Sequence, residues 1–231
     1  MGNDADNDDN SDDDNYYSLL AVLSIPLIRK ISFSFTELPE IPKLDLGFAI
    51  STGSLDAEEN LQTIKDTIKS VIDRYGKTDI RYSFILFGDE PSERVRFTES
   101  ERFTIEILKD RVDRLARISG ASLDKALDKA KKMFEDTARQ DAKKVLVVIM
   151  DQKQSGDRDK TKEKARELKN AGVKVVPVVL GEEASEEELE EITRNKNNLV
   201  EMDTDENPDK AAEKIMIKVL EGNFGLGLKM L

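Results

Sequence analysis

Short apolar runs alternate with amphipathic segments from residue 44 onward, and this alternation predicts a sheet covered by helices on both faces. The run KVLVVIM at residues 144–150 is nearly all apolar, which is typical of a central parallel strand buried on both faces. The apolar runs predict six strands, at residues 44–50, 81–87, 94–98, 144–150, 173–180 and 199–202.

Apolar side chains recur at helical spacing between the predicted strands. In the first such segment Leu61, Ile64 and Ile68 share one side of a helix, and Gly76 marks its end. The chain is therefore expected to form a doubly wound, mainly parallel α/β sheet of Rossmann-like type, with residues 94–98 as a short antiparallel edge strand. The predicted helices are residues 56–75, 104–115, 122–135, 160–170, 185–193 and 208–221.

Composition divides the chain into four predicted regions. Residues 1–15 combine low hydrophobicity with charge of one sign, which predicts a disordered acidic tail. Residues 16–42 hold an apolar segment and a connector with Pro39 and Pro42. Residues 43–221 form the predicted domain, and residues 222–231 are expected to be a C-terminal tail.

The acidic tail carries much of the charge. The net charge is −12, and the first 15 residues hold seven Asp and no Lys or Arg, which leaves −5 for the remainder. Nucleic-acid binding needs clustered cations, so we expect no nucleic-acid partner. Asp4, Asp6 and Asp8 resemble the start of an EF-hand loop. Asp9 and Asn15 stand where its Gly and Glu should be, so we interpret these residues as a solvated tail.

The longest apolar run is LLAVLSIPLI at residues 19–28. It is about half the length that a membrane-spanning helix needs, so we expect no membrane span. Its length suits a signal-peptide core, but the preceding segment is acidic and no small-residue cleavage pattern follows. We favour an apolar segment that packs on the domain or on a partner, with a signal peptide as the alternative.

Cysteine and histidine do not occur in the chain. This excludes disulfides, thiolate nucleophiles, zinc sites of the usual ligand set and catalytic triads that use imidazole. The stretch STGS at residues 51–54 has one Gly and no Lys, so it is not a phosphate-binding loop. With no evident nucleophile or base, we predict that the chain is not an enzyme and needs no cofactor.

Four segments carry a resemblance to a known family. They are DLGFAISTGS at 45–54, SGASLDKALDKA at 119–130, KKVLVVIMDQKQSGD at 143–157 and LKNAGVKVVPVVLGEEASEEELEEI at 168–192. Together, and in this order, they resemble the von Willebrand factor A domain, which is also the integrin I-like fold. The resemblance covers about residues 43–221 and implies a protein-binding or adhesion module with a Rossmann-like fold.

The resemblance also implies a metal site at the carboxyl ends of the strands. In the family the first strand ends in Asp-x-Ser-x-Ser, a later loop supplies a Thr, and the central strand ends in an Asp. These oxygens surround a hard divalent cation, usually magnesium, whose open position takes a carboxylate from the partner. The matching positions of this chain therefore test whether a cation can be held.

The chain departs from that pattern at most of these positions. In one alignment the family's first Asp is replaced by Ile50, with hydroxyls kept at Thr52 and Ser54, and in the other alignment it is replaced by Ser51. Ala121 stands at the family's Thr, with Ser122 beside it as a shifted hydroxyl. Asp151 alone is kept. The pattern therefore predicts a degenerate metal site.

One carboxylate and two or three hydroxyls suit magnesium poorly, because this ion is costly to dehydrate and favours anionic ligands. We expect no bound metal, with weak magnesium or calcium binding as the alternative. Asp89 in the loop FGDEPSE could add a second carboxylate, although a solvated turn residue is the favoured interpretation. The vestigial metal-site candidates are Ser51, Thr52, Ser54 and Asp151.

The same loops are the expected contact surface, because ligands of open α/β sheets bind at the carboxyl ends of the strands. We expect a metal-independent protein partner, which the resemblance places in the extracellular matrix. An intracellular or structural assembly role and a cation-dependent adhesion domain stay open as alternatives. Asp151 is expected to order the first loop through Thr52 or Ser54. The predicted rim consists of Ser51, Thr52, Ser54, Asp89, Ala121, Ser122 and Asp151.

Overall fold

Six strands form one sheet in a computed structural model of the chain, which describes residues 43–53, 57–77, 79–181, 185–193 and 196–221. The strands are β1 (Leu44–Ile50), β2 (Ile80–Phe87), β3 (Pro91–Val95), β4 (Lys143–Met150), β5 (Val173–Leu180) and β6 (Val200–Met202). Their order is β3-β2-β1-β4-β5-β6, and β3 alone among them pairs antiparallel. The predicted doubly wound sheet with an antiparallel edge strand is confirmed.

Six helices agree with the predicted ones to within a few residues, and a seventh, at Phe97–Ser100, was not predicted. For example, the helix predicted from residue 104 has Thr104 as its N-cap, and the Thr104 side chain accepts a hydrogen bond from the Ile107 backbone N–H. The helices are α1 (Ala57–Tyr75), α2 (Phe97–Ser100), α3 (Ile105–Asp113), α4 (Leu123–Thr137), α5 (Arg158–Asn170), α6 (Glu186–Thr193) and α7 (Pro208–Leu220), with a 3-10 turn at Lys196–Asn198.

The edge strand differs from its predicted bounds of 94–98. It ends at Val95, and the short helix α2 begins at Phe97. The Glu99 side chain accepts the backbone N–H of Arg96 at 2.8 Å, which supports a helix start. Phe97 then packs on Phe134 at a ring-centroid distance of 5.0 Å. An aromatic residue followed by Thr has the composition of a strand, but the local capping contact determines a helix here.

Apolar side chains pack on both faces of the sheet. One layer contains Phe48 and Phe84 from β1 and β2 and the apolar faces of α1, α3 and α7. The other contains Ala49 and Leu146 and the apolar faces of α4, α5 and α6. Because successive side chains of a strand point to opposite faces, slipping by one residue would exchange the two layers. The core therefore fixes which strand ends lie side by side.

A buried carboxylate joins the amino ends of β1 and β2. Asp45 is fully buried, and Arg81 donates to both of its oxygens, from Nε at 3.0 Å and from Nη2 at 2.9 Å. Arg139 adds a bond from Nε at 3.0 Å. This pairing compensates the cost of burying a charge at the sheet edge opposite the predicted rim.

The predicted tails at 1–15 and 222–231 and the predicted segment at 16–42 lie outside the described residues. Within the described part of the chain, no helix has the length and apolar character needed to cross a membrane.

Candidate functional site

Three loops meet at the carboxyl edge of the sheet, namely the loops after β1 and β4 and the loop before α4. β1 and β4 are neighbours, and Ile50 pairs with Ile149 at their ends. The Ser51 backbone N–H donates to the Ile149 carbonyl at 2.9 Å, which continues the pairing beyond β1. Ser51 and Asp151 therefore follow adjacent strand ends, and both are fully buried.

The carboxylate of Asp151 holds the first loop. Its Oδ1 accepts the backbone N–H of Gly53 at 3.2 Å and lies 3.5 Å from the Ser51 hydroxyl, which is a long hydrogen bond. The sequence predicted that Asp151 acts through Thr52 or Ser54. Among the described residues these contacts go to Gly53 and Ser51, so the predicted role of Thr52 is wrong. Ser54 lies outside the described residues, and its part in ordering the loop stays a prediction.

Thr52 directs its hydroxyl to another segment. Its Oγ1 donates to the Ala116 carbonyl and accepts the backbone N–H of Ile118, each at 3.3 Å. Thr52 is fully buried, and its hydroxyl joins the β1 loop to the loop before α4 through its donor and one of its two acceptor lone pairs.

Gln152 lies at the centre of the three loops, and the sequence analysis did not identify it. Its Nε2 donates to the Gly120 carbonyl at 2.8 Å and lies 3.5 Å from the Ser51 Oγ. A Cβ atom on Gly53 would lie 2.2 Å from this nitrogen, so the amide packs directly against the Gly53 backbone. Its position next to Asp151 could have marked Gln152 as a rim residue, but the sequence does not show in which direction its side chain points.

Ser155 joins the loop after β4 to the loop before α4. Its Oγ accepts the Ala121 backbone N–H at 3.1 Å, and its own backbone N–H donates to the Ala121 carbonyl at 3.0 Å. Ala121 is fully buried within an apolar cluster. Ser122 donates its backbone N–H to the Gly88 carbonyl at 2.9 Å, which ties the loop after β2 to the same place.

Asp89 is exposed on the loop after β2 and lies against the loop before α4. Its backbone N–H donates to the Ser119 carbonyl at 3.2 Å, and a Cβ atom on Gly120 would lie 2.2 Å from its Oδ1. Lys125 donates to the Asp89 carbonyl at 2.9 Å and to the Glu90 carboxylate at 2.5 Å. Asp89 thus reaches the rim at the Gly120 side.

The predicted rim residues within the described part of the chain therefore lie together at one edge. Within that part, no group of three or more His, Cys, Asp or Glu side chains is arranged to hold a metal ion. The residues brought together are Ser51, Thr52, Asp89, Ala121, Ser122 and Asp151, with Gln152 and Ser155 as additional members.

A doubly wound sheet whose loops converge at the carboxyl edge defines a class of α/β domains that bind ligands at this edge. The family model of the von Willebrand factor type A domain matches residues 45–214, and the chain belongs to this family. Domains of this type are typical protein-binding and adhesion modules.

Two curated relatives are collagen chains. The collagen alpha-5(VI) chain of Homo sapiens is 30% identical over 188 residues, which cover 77% of this chain and 7% of the collagen. The collagen alpha-4(VI) chain of Mus musculus is 28% identical over 160 residues, covering 68% of this chain and 7% of the collagen. The chain thus spans about 7% of the length of these relatives.

A solved structure gives the same fold. Proximal thread matrix protein 1 from the mussel byssus, in a form with a zinc-occupied MIDAS motif, superposes with a TM-score of 0.64 at 19% identity. The match covers 77% of this chain and 47% of the mussel protein. At this identity the likeness supports the fold alone.

Proposed function

We propose that this domain is a non-enzymatic protein-binding module whose contact surface is the loop rim and whose binding needs no cation. The observation that carries the proposal is the use of the Asp151 carboxylate inside the protein, where Oδ1 accepts the Gly53 N–H at 3.2 Å. A carboxylate committed to the first loop orders the rim without a metal.

The donor set of the rim supports cation independence. Magnesium favours strict octahedral coordination with anionic oxygen ligands. At the family's remaining metal positions in the described loops stand Ser51 and Ala121, and Thr52 already uses its hydroxyl in two hydrogen bonds. The residues that the structure describes at these positions, with Asp151 as their one carboxylate, therefore do not fit a magnesium site.

The kind of partner follows from the family and the relatives. Both curated relatives are chains of collagen VI, which supports a partner in the extracellular matrix. The chain contains neither Cys nor His, which removes the commonest nucleophiles and bases and supports a binding role over catalysis. We propose an extracellular location on the same grounds.

Surface plasmon resonance on the immobilised chain tests this function. The probes are purified matrix proteins, including collagen VI, applied in EDTA and in magnesium or manganese. We expect binding that persists in EDTA and weakens in the exposed rim variant Asp89→Ala. Asp141→Ala at the opposite sheet edge is the matched control and should bind normally. Binding that requires a cation would contradict the proposal, and so would binding that Asp89→Ala leaves unchanged.

A further inference from the structure

We infer that Gln152 sets the ligand class of the rim: its side-chain amide fills the space between three loops, cross-links them and keeps a cation out. This inference rests on the proposed cation-independent function and names the residue responsible for it. Gln152 is thereby a positioning and specificity-determining residue for the surface, and its role does not require that it touch the partner.

The hydrogen bonds of the amide connect loops distant in sequence. Nε2 donates to the Gly120 carbonyl before α4 at 2.8 Å and reaches the Ser51 Oγ after β1 at 3.5 Å. Ser51 Oγ in turn lies 3.5 Å from the Asp151 Oδ1, which accepts the Gly53 N–H. A continuous series of contacts between protein atoms therefore runs from Gly120 through Gln152 and Ser51 to Asp151.

The orientation of the amide follows from chemistry. If the amide were rotated, its oxygen would face the Gly120 carbonyl oxygen at 2.8 Å, and two acceptors at that distance repel each other. The amide nitrogen of Gln152 must therefore face the Gly120 carbonyl and the Ser51 hydroxyl. An amide N–H₂ group donates protons and offers no lone pair for coordination, so it presents positive charge to the oxygens that would otherwise attract a cation.

Gly53 makes the space that the amide occupies. A Cβ atom at this position would lie 2.2 Å from Nε2 and 2.9 Å from Cδ of Gln152. Distances this short cannot be accommodated without moving the Gln152 side chain. The pair of Gly53 and Gln152 thus acts as one unit, in which the missing side chain admits the amide.

The experiment compares the full chain with Gln152→Ala, Gln152→Glu and the matched control Lys153→Ala, whose side chain is exposed on the same loop. Amide hydrogen exchange in EDTA is followed at residues 51–53 and 118–121. Loss of the cross-link in Gln152→Ala should speed exchange in these segments by roughly five- to tenfold, as expected for one hydrogen-bond contribution to local stability. The control should exchange as the unmodified chain does.

The second measurement is thermal unfolding with manganese or EDTA. Gln152→Glu replaces the donor by a carboxylate beside Asp151, and like charges at close range favour cation binding. Manganese should therefore raise the melting temperature of Gln152→Glu and leave that of the unmodified chain unchanged.

Two outcomes would overturn the inference. One is unchanged exchange in Gln152→Ala, and the other is an equal response to manganese in the unmodified chain and in Gln152→Glu. Hydrogen exchange is measured without any partner or cation. Unchanged exchange in Gln152→Ala would therefore contradict the inference about Gln152 and leave the proposed function standing. A requirement for a cation in partner binding would instead contradict the proposed function directly, whatever the exchange rates show.

Discussion

Asp151 at the end of β4 accepts the backbone N–H of Gly53, which lies three residues beyond β1, at 3.2 Å through its Oδ1. The carboxylate is fully buried, so the bond forms where water does not compete for it. One side chain thereby fixes the position of the neighbouring loop. The rim is ordered by contacts within the protein itself.

Replacing Asp151 tests this ordering role. Asp151→Ala leaves the Gly53 N–H without its acceptor and should lower the free energy of unfolding by about 1–3 kcal/mol. Asp151→Asn keeps an acceptor oxygen and should cost less. Urea unfolding measures both, with the exposed Asp89→Ala as the control. Equal stability of Asp151→Ala and the control would show that the buried carboxylate does not order the loop.

The close approach of Gly53 and Gln152 predicts energetic coupling between them. Gly53→Ala places a methyl group 2.2 Å from the amide nitrogen, so the Gln152 side chain must move and lose its bond to Gly120, at a cost of about 1 kcal/mol. In a Gln152→Ala background the same change should cost clearly less, because the main obstacle has been removed. A double-mutant cycle by urea unfolding measures the difference. Additive effects would contradict direct contact between the two residues.

The opposite edge of the sheet contains a buried charge whose loss should be more costly. Asp45 accepts hydrogen bonds from Arg81 and Arg139, and Asp45→Asn removes the negative charge while both guanidinium groups remain. We expect a loss of about 3–5 kcal/mol in the free energy of unfolding. The control is Asp141→Asn at the exposed pair with Lys43, which should have no measurable effect. A similar result for the two variants would contradict a structural role for Asp45.

The sheet and its order could be predicted because the strands are apolar runs buried on both faces, and β4 is the clearest example. The boundary of β3 could not, because residues 94–98 have the composition of a strand while Glu99 caps a helix that begins at Phe97. Composition favours a strand there, and a single contact from the Glu99 side chain to the backbone determines a helix instead.

The rim was predictable only in part. Asp151 follows a central strand, so its place at the carboxyl edge follows from the fold alone. The partners of Thr52 depend on the path of the loop before α4, which has no periodic pattern to read. Gln152 could be placed on the rim by its position, but its bond to Gly120 depends on a rotamer that only the packed structure determines.

The buried phenol of Tyr82 should make the folded protein less stable at alkaline pH. Burial raises the pKa of its phenol, and the hydroxyl donates to the Gly76 carbonyl at 2.6 Å. Because the folded pKa lies above the unfolded value of about 10, the contribution of Tyr82 is fully present below that pH and is lost as the pH rises above it.

The measurement is urea unfolding from pH 8 to 11.5 for the unmodified chain and Tyr82→Phe. Below about pH 9 the variant should be less stable by about 1 kcal/mol, because it lacks the bond to Gly76. Above about pH 10 the unfolded state of the unmodified chain releases the Tyr82 proton, which lowers its free energy of unfolding by up to about 1.4 kcal/mol per pH unit. Tyr82→Phe has no such proton, so the difference in stability between the two should shrink or reverse. Tyr75→Phe is the control and should show a smaller change, because Tyr75 stays partly exposed although burial raises its pKa too. A constant difference between the unmodified chain and Tyr82→Phe across this range would mean that the Tyr82 phenol ionises equally in the folded and unfolded states.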